Sequence, residues 1–399
     1  MRVLLLYDYP PSPGGLSTQG DLLYKGLQAI GVDVHAAHWQ SCQEKEWYYD
    51  WFKPDVVVGI GYWGHVPSIV VHPQLFGRIA VPWLVADGYI ANYNEILNEL
   101  PLILVTSNWV KQMYVRDGIS GDKIEVLPVG CPTDSFVPHA YYDPKIVAVR
   151  KQLGVSPDEI MILTIGGDAA SKGANEVMEA LALIDRDVLP WKYVCKVWPQ
   201  PRTSFQNQSD HDLAERLGIS KKVIYATNTV SRDFMPYLIG ACDIYAAPSR
   251  LEGFGMPQVE AGACGKPVVG IRAMGMLDTL VHGETALLAG VAKEIVVDNV
   301  ILGTESGYED NHIIHFDIPH TVDYRADVND IADCLSRLMR DASLRTTMGA
   351  AGRKRVEERF DYRVVAKRFV KIMEKYFKIN YLEEQCLPKN NLRRSMLQS

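Results

Sequence analysis

Short apolar runs alternate along the chain with longer stretches in which apolar positions recur every three or four residues. Val3 to Tyr7, Val32 to Ala37, Asp55 to Ile60, Val81 to Ala86, Leu102 to Thr106 and Ile124 to Leu127 have the length and continuity of buried strands. Leu22, Leu23, Leu27 and Ile30 fall at helical spacing, and Ser17 or Thr18 is placed to cap that helix. Pro128 to Pro138 has little periodicity and reads as a linker. The rhythm then restarts with a helix around 144–154 and strands at Ile160 to Ile165, Tyr193 to Val197, Val223 to Ala226, Ile244 to Ala247, Val268 to Ile271 and Ala286 to Leu288. This alternation predicts parallel sheets with helices on both faces, and its restart predicts two doubly wound α/β units. Ala289 to Tyr324 breaks the pattern: Ile295-Val296-Val297 and His312 to Phe316 flank a Gly/Glu/Asp-rich piece, which reads as a small hairpin or an elaborated loop. Three helices close the chain, the last amphipathic through Val365, Phe369, Ile372, Met373 and Tyr376.

The length of 399 residues suits two domains, and 47% hydrophobic with 22% charged residues is ordinary for a globular protein. A net charge of −7 does not fit a general nucleic-acid binder. From Gly352 onward, however, 13 Lys+Arg face 6 Asp+Glu, a local charge of +7. That end reads as a solvated helix face with a loose tail, or as a peripheral contact for an anionic membrane. The seven cysteines are odd in number with no C-x-x-C spacing, which points to reduced thiols and a cytoplasmic location. The first apolar run is too short for a signal peptide, and no run approaches the ~18 residues of a membrane span.

The chemistry concentrates at Asp243 to Pro267. An apolar strand ends at Pro248-Ser249, Gly253 and Gly255 bracket Phe254 in a loop, and Pro257 suits the first helical position. Glu252 lies on the loop and Glu260 about one turn inside the helix. Strand ends followed by helix starts are where open α/β sheets bind ligands, and the free N–H groups of a helix start favour an anion. A similar junction, Gly166-Gly167-Asp168-Ala169-Ala170-Ser171-Lys172-Gly173, carries a lysine suited to a diphosphate but lacks P-loop spacing. Gly14-Gly15 follows the first strand and is not a dinucleotide fingerprint. Asp185-Arg186-Asp187 and Asp210-His211-Asp212 match D-x-D. The former follows a helix and the latter has the pattern of a helix cap, so neither is read as a metal site. His35/His38 and His312/His315 lack a third ligand, and no metal is expected.

Taken together, Gly14-Gly15, Lys172-Gly173, the phrase Glu252-Gly253-Phe254-Gly255-Met256-Pro257, Glu260 eight residues after Glu252, Lys123 to Pro128 and Val281 to Leu288 resemble the retaining GT-B glycosyltransferases of family 4. The resemblance covers most of Met1 to Lys378 except Ala289 to Tyr324. It implies a GT-B architecture: an acceptor-side domain over 1–138, a nucleotide-sugar domain over 139–360, a helix over 361–380 crossing back to the first domain, and a flexible tail over 381–399. It further implies transfer of a hexose-type sugar from a nucleotide-diphosphate sugar to a hydroxyl acceptor. The donor needs no separate cofactor. Glu260 would bind the ribose, Glu252 the donor sugar, and the backbone from Gly253 through Phe254 and Gly255 to Met256 the sugar and distal phosphate. Lys172, beside Gly167, would neutralise the leaving diphosphate, and Gly14 and Gly15 would let the first domain close over the donor.

Two positions depart from the family pattern. Gly167 and Asp168 stand where an arginine usually pairs with the lysine, leaving Lys196, Arg250 or Arg272 as replacements. Asp87-Gly88-Tyr89 stands where a histidine is usual, making Asp87 a candidate catalytic or substrate contact, with His65 a further candidate. The alternatives are a nucleotide-sugar epimerase of the same fold and an inactive nucleotide-sugar-binding homologue.

Overall fold

The computed structural model describes residues 1–86, 88–199 and 204–379. The first domain is built on β1 (Arg2–Tyr7), β2 (Asp33–His38), β3 (Val56–Tyr62), β4 (Ala80–Val85), β5 (Ile103–Val105) and β6 (Ile124–Val126), ordered β2-β1-β3-β4-β5-β6 and paired parallel throughout. Helices cover both faces, so the strands read as unbroken apolar runs; Leu4, Leu5 and Leu6 are all fully buried. The first helix, Gly15–Ala29, starts earlier than the sequence predicts. It has no side-chain cap, because the Ser17 hydroxyl serves the preceding loop, accepting from Ser12 N at 2.9 Å and donating to Asp8 O at 3.1 Å.

The second domain carries β7 (Ile160–Ile165), β8 (Trp191–Lys196), β9 (Val223–Ala226), β10 (Ile244–Ala246), β11 (Val268–Ile271) and β12 (Ala286–Ala289), also all parallel. Their order, β12-β11-β10-β7-β8-β9, reverses direction between β7 and β10. That switch point opens a crevice at the carboxyl ends of the two strands, where such sheets bind ligands.

Two chain crossings join the domains, and they run side by side. Cys131 N donates to Phe360 O at 2.6 Å and Tyr362 N donates to Cys131 O at 3.0 Å. Asp361 caps the closing helix, Tyr362–Phe377, through Arg363 N at 2.8 Å and accepts from the Thr133 hydroxyl. This helix packs on Gly15–Ala29 in the first domain, with Phe369 and Met373 fully buried and Lys375 Nζ 2.6 Å from Glu125 Oε1. Several basic residues of this end turn inward. Arg353 donates to the carbonyls of Thr133, Phe136 and Ala263, and Arg355 to those of Asp278 and Thr279.

The segment after β12 is one long antiparallel hairpin, β13 (Val291–Leu302) and β14 (His312–Ala326). Its root is bonded to the second domain, Tyr324 N donating to Arg250 O at 2.7 Å. Its far part grips the first domain at two places: at the loop after β4, where Tyr308 Oη donates to Ala91 O at 2.7 Å and Asn92 Nδ2 donates to Ser306 O at 3.0 Å, and at the end of the helix Asn108–Arg116, where His320 Nε2 lies 2.8 Å from Asp117 Oδ1. Among the described residues no helix is long and apolar enough to cross a membrane. The cysteines described are free thiols, all buried but Cys42.

Candidate functional site

Lys172 follows β7 and Glu252 follows β10, the two strands that flank the switch point. Lys172 Nζ sits 2.7 Å from Glu252 Oε2, and both side chains are largely withdrawn from solvent. The backbone explains the placement. Lys172 ends a short turn, Ala170–Lys172, and Gly173 at φ 81 caps the helix Ala174–Ile184. A Cβ on Gly173 would stand 2.4 Å from Pro248 O, so only glycine lets this turn lie against the end of β10. On the facing side Gly255, at φ 86, starts the helix Met256–Ala263, in which Pro257 follows Met256. Glu252 is held twice there: its Oε1 accepts from Gly255 N at 3.1 Å, and its own N–H donates to Met274 Sδ at 3.3 Å. A carboxylate, an ammonium and the N-terminal end of a helix therefore converge in one crevice, a combination that can hold hydroxyls and phosphate together.

Glu260 is buried within this helix and is paired with Arg232, which follows β9. Burial works against the guanidinium charge, but the Glu260 carboxylate outweighs it and holds the Arg232 pKa above its ordinary value. Arg232 also lies over the Phe136 ring at 4.7 Å. Phe254 points away from the crevice, buried against Phe360, so it can serve a ligand only through its backbone. Met256 reaches the first domain: a Cβ on Gly15 would stand 3.5 Å from its Cε, while one on Gly14 would meet nothing within 4 Å. The Gly14-Gly15 loop thus faces the helix start across the cleft. Gly167 packs against Trp198, a Cβ there standing 3.3 Å from the indole.

Of the three replacements expected for the arginine, Arg250 and Lys196 are held by other partners, whereas Arg272 is exposed. Arg250 forks onto Glu176, with Nη2 at 3.0 and 3.1 Å from the two oxygens. Lys196 turns into the core, donating to Val197 O at 3.0 Å, and burial lowers its pKa. Arg272 reaches toward Leu288 O at 3.5 Å. Asp87 lies outside the described residues, as do Cys386 and the segment expected to be a tail. His65 stacks on Trp39 at 4.2 Å, and burial pushes its pKa down to about 4, so it is a neutral ring at pH 7.

Neither D-x-D has the geometry of a metal motif. Asp185 accepts from Trp191 Nε1 and pairs with Lys222. Asp210 is not a cap but lies within the helix Ser204–Arg216, fully buried. Among the described residues no group of three or more His, Cys, Asp or Glu is placed to hold a metal ion. Sequence reasoning missed Arg232, the Met274 contact and the Arg250–Glu176 pair. Arg232 had a signal, a basic residue in the connection that leaves the carboxyl end of β9.

Residues 146–314 match the family model of glycosyl transferases group 1. Among curated proteins, the chain is 25% identical over 293 residues to an MMP alpha-(1->4)-mannosyltransferase of Mycolicibacterium hassiacum, covering 72% of this chain and 57% of that one. It is 30% identical over 261 residues to a D-inositol 3-phosphate glycosyltransferase of Mycobacterium sp. (strain JLS), covering 64% of this chain and 54% of that one. The chain thus spans little more than half the length of these relatives. Among solved structures, Anabaena Alr3699/HepE in complex with UDP and glucose superposes with a TM-score of 0.70 at 16% identity, over 94% of this chain and 100% of that one. Sucrose-phosphate synthase from Thermosynechococcus elongatus superposes with a TM-score of 0.72 at 18% identity, over 95% and 100%. With its two parallel six-stranded sheets and a closing helix returned to the first domain, the chain has the GT-B fold, and residues 146–314 carry its match to the group 1 glycosyl transferases.

Proposed function

We propose that the chain is a retaining glycosyltransferase that moves a hexose-type sugar from a nucleotide-diphosphate sugar to a hydroxyl acceptor without a metal ion. The observation that carries this reading is the Lys172–Glu252 pair at the switch point of the second sheet, set against the helix start at Gly255. The names of the curated relatives, a mannosyltransferase and a glycosyltransferase, and the UDP and glucose bound to HepE support it.

On this reading an entering diphosphate draws Lys172 away from Glu252. The lysine then balances the charge that grows on the leaving group, the electrostatic contribution that usually dominates such catalysis. Glu252 is released to hold sugar hydroxyls and to offset positive charge at the anomeric carbon. The N–H groups from Gly253 to Met256 hold the sugar and the distal phosphate. The ribose hydroxyls share Glu260 with Arg232. The bond from the anomeric carbon to the phosphate oxygen breaks with its electron pair leaving on the diphosphate. The acceptor oxygen bonds to the same face, and its proton passes to the departing phosphate, so configuration is retained.

Glu252→Ala and Lys172→Ala should each lower transfer by about 10²–10³-fold while nucleoside diphosphate still stabilises the fold. Near-wild-type transfer in both variants would sink the assignment. Transfer should persist in EDTA, and product NMR should show the donor's anomeric configuration.

A further inference from the structure

The β13–β14 hairpin carries an irregular stretch in the strand that meets the first domain. Its ladder pairs Val297 with His320 and Asn299 with His315, so Phe316, Asp317, Ile318 and Pro319 all stand opposite Asp298 alone. Such a bulge bends a strand and re-aims its side chains, and Pro319 has no N–H to give to a ladder. Here the bulge delivers Phe316 to the first domain. Its ring lies 5.5 Å from Tyr89, which in turn lies 6.2 Å from Trp63, and it stacks on His320 at 4.0 Å and 13°. His320 is fixed from below by Asp117. Trp63 and Tyr89 follow β3 and β4, at the carboxyl ends of the first sheet's strands, where such sheets bind ligands. The hairpin root hangs from Arg250, two residues before Glu252.

A run of rings therefore extends from the first domain's rim onto an element of the second, with Tyr89 and Phe316 half-buried. Aromatic faces of this kind offer stacking area to the C–H faces of sugar rings while giving up little conformational freedom on binding. The geometry points to the hairpin as part of the acceptor site, with Tyr89 and Phe316 forming a two-ring wall that selects a saccharide acceptor. This inference rests on the glycosyltransferase reading above and deepens it by naming the acceptor class and the residues that choose it. His320 and Asp117 are positioning residues that hold the Phe316 ring in place.

The test is saturation-transfer NMR on the full chain with UDP present, irradiating aromatic protons. The probes are methyl α-glucopyranoside, methyl α-mannopyranoside and methyl β-galactopyranoside. Transfer to the ring protons of at least one glycoside is expected. Phe316→Ala and Tyr89→Ala should weaken its binding about two- to tenfold, and Phe316→Trp should retain it. Phe316→Leu gives the same readout should the alanine variant fail to fold. No transfer in the wild type, or equal binding in Phe316→Ala and Phe316→Leu to that of the wild type, overturns the proposal. UDP affinity, measured on the same samples, should be unchanged by the substitutions. UDP that binds normally while glycoside binding ignores Phe316 sinks only the acceptor wall; a wild type that binds none of UDP, GDP and ADP sinks the donor reading instead.

Discussion

Asp210 is fully buried, and among the described residues neither of its carboxylate oxygens accepts a hydrogen bond. Burial, and then the charge of Asp168, raise its pKa from 3.8 to about 7. Below the ordinary carboxylate range both folded and unfolded chains hold the proton, and the residue has no effect on stability. As pH rises through 4 to 7 the unfolded chain loses the proton first, so stability falls over that window and the loss is complete above the folded pKa. Asp210→Asn removes this slope. Relative to wild type it should gain up to about 4 kcal/mol as pH goes from 4 to 8, read from urea unfolding at each pH; parallel curves for the two proteins would refute it. The same residue shows where one-dimensional reading ends. Its D-x-D pattern is visible in the sequence, but whether a helical aspartate faces solvent or core depends on what packs against it. Glu252, Lys172 and Glu260 were legible as types at the right junctions. Their pairing was not, because Lys172 and Glu252 lie 80 residues apart and meet only through the order of the strands.

At the scale of elements, the strands of both sheets were readable because burial on two faces leaves continuous apolar runs. The hairpin was readable only as two short pieces. Its strands are exposed on much of their length, with Val296, Ile301, Ile313 and Ile318 all more than half exposed, so no contrast between faces marks their full extent. The first helix was misplaced at its start because a capping hydroxyl was assigned to the helix when the loop uses it. The turn from β7 into its helix carries the sharpest steric demand of the site. Gly173→Ala meets both a left-handed backbone and the Pro248 carbonyl. It should destabilise the chain by about 2 kcal/mol and, by displacing Lys172, lower transfer more than stability alone explains. A variant with wild-type melting and wild-type turnover would show that this turn has slack.

Over the whole molecule, the helix Tyr362–Phe377 bonds the second crossing to the domain in which the chain began. Phe369, fully buried there, should cost about 3–5 kcal/mol when changed to alanine, measured by denaturant unfolding; a change below about 1 kcal/mol would mean the helix contributes little to the first domain. A resemblance in the motifs was enough to anticipate two sheets and a returning helix. It could not anticipate how the two crossings meet, because neither Cys131 nor Asp361 carries a sequence signal for the other. Their backbones are hydrogen-bonded side by side, with Thr133, Asp361 and Arg363 knotted around them. A single connecting strand is a swivel, free to twist as well as bend. Two strands joined along their edges behave like a strip of tape, compliant about the axis across its width and stiff against bending within its own plane. Bending of that ribbon would carry Gly15 past Met256 along one arc, and the hairpin's bonds to Ala91, Asn92 and Asp117 would have to break before the cleft opened.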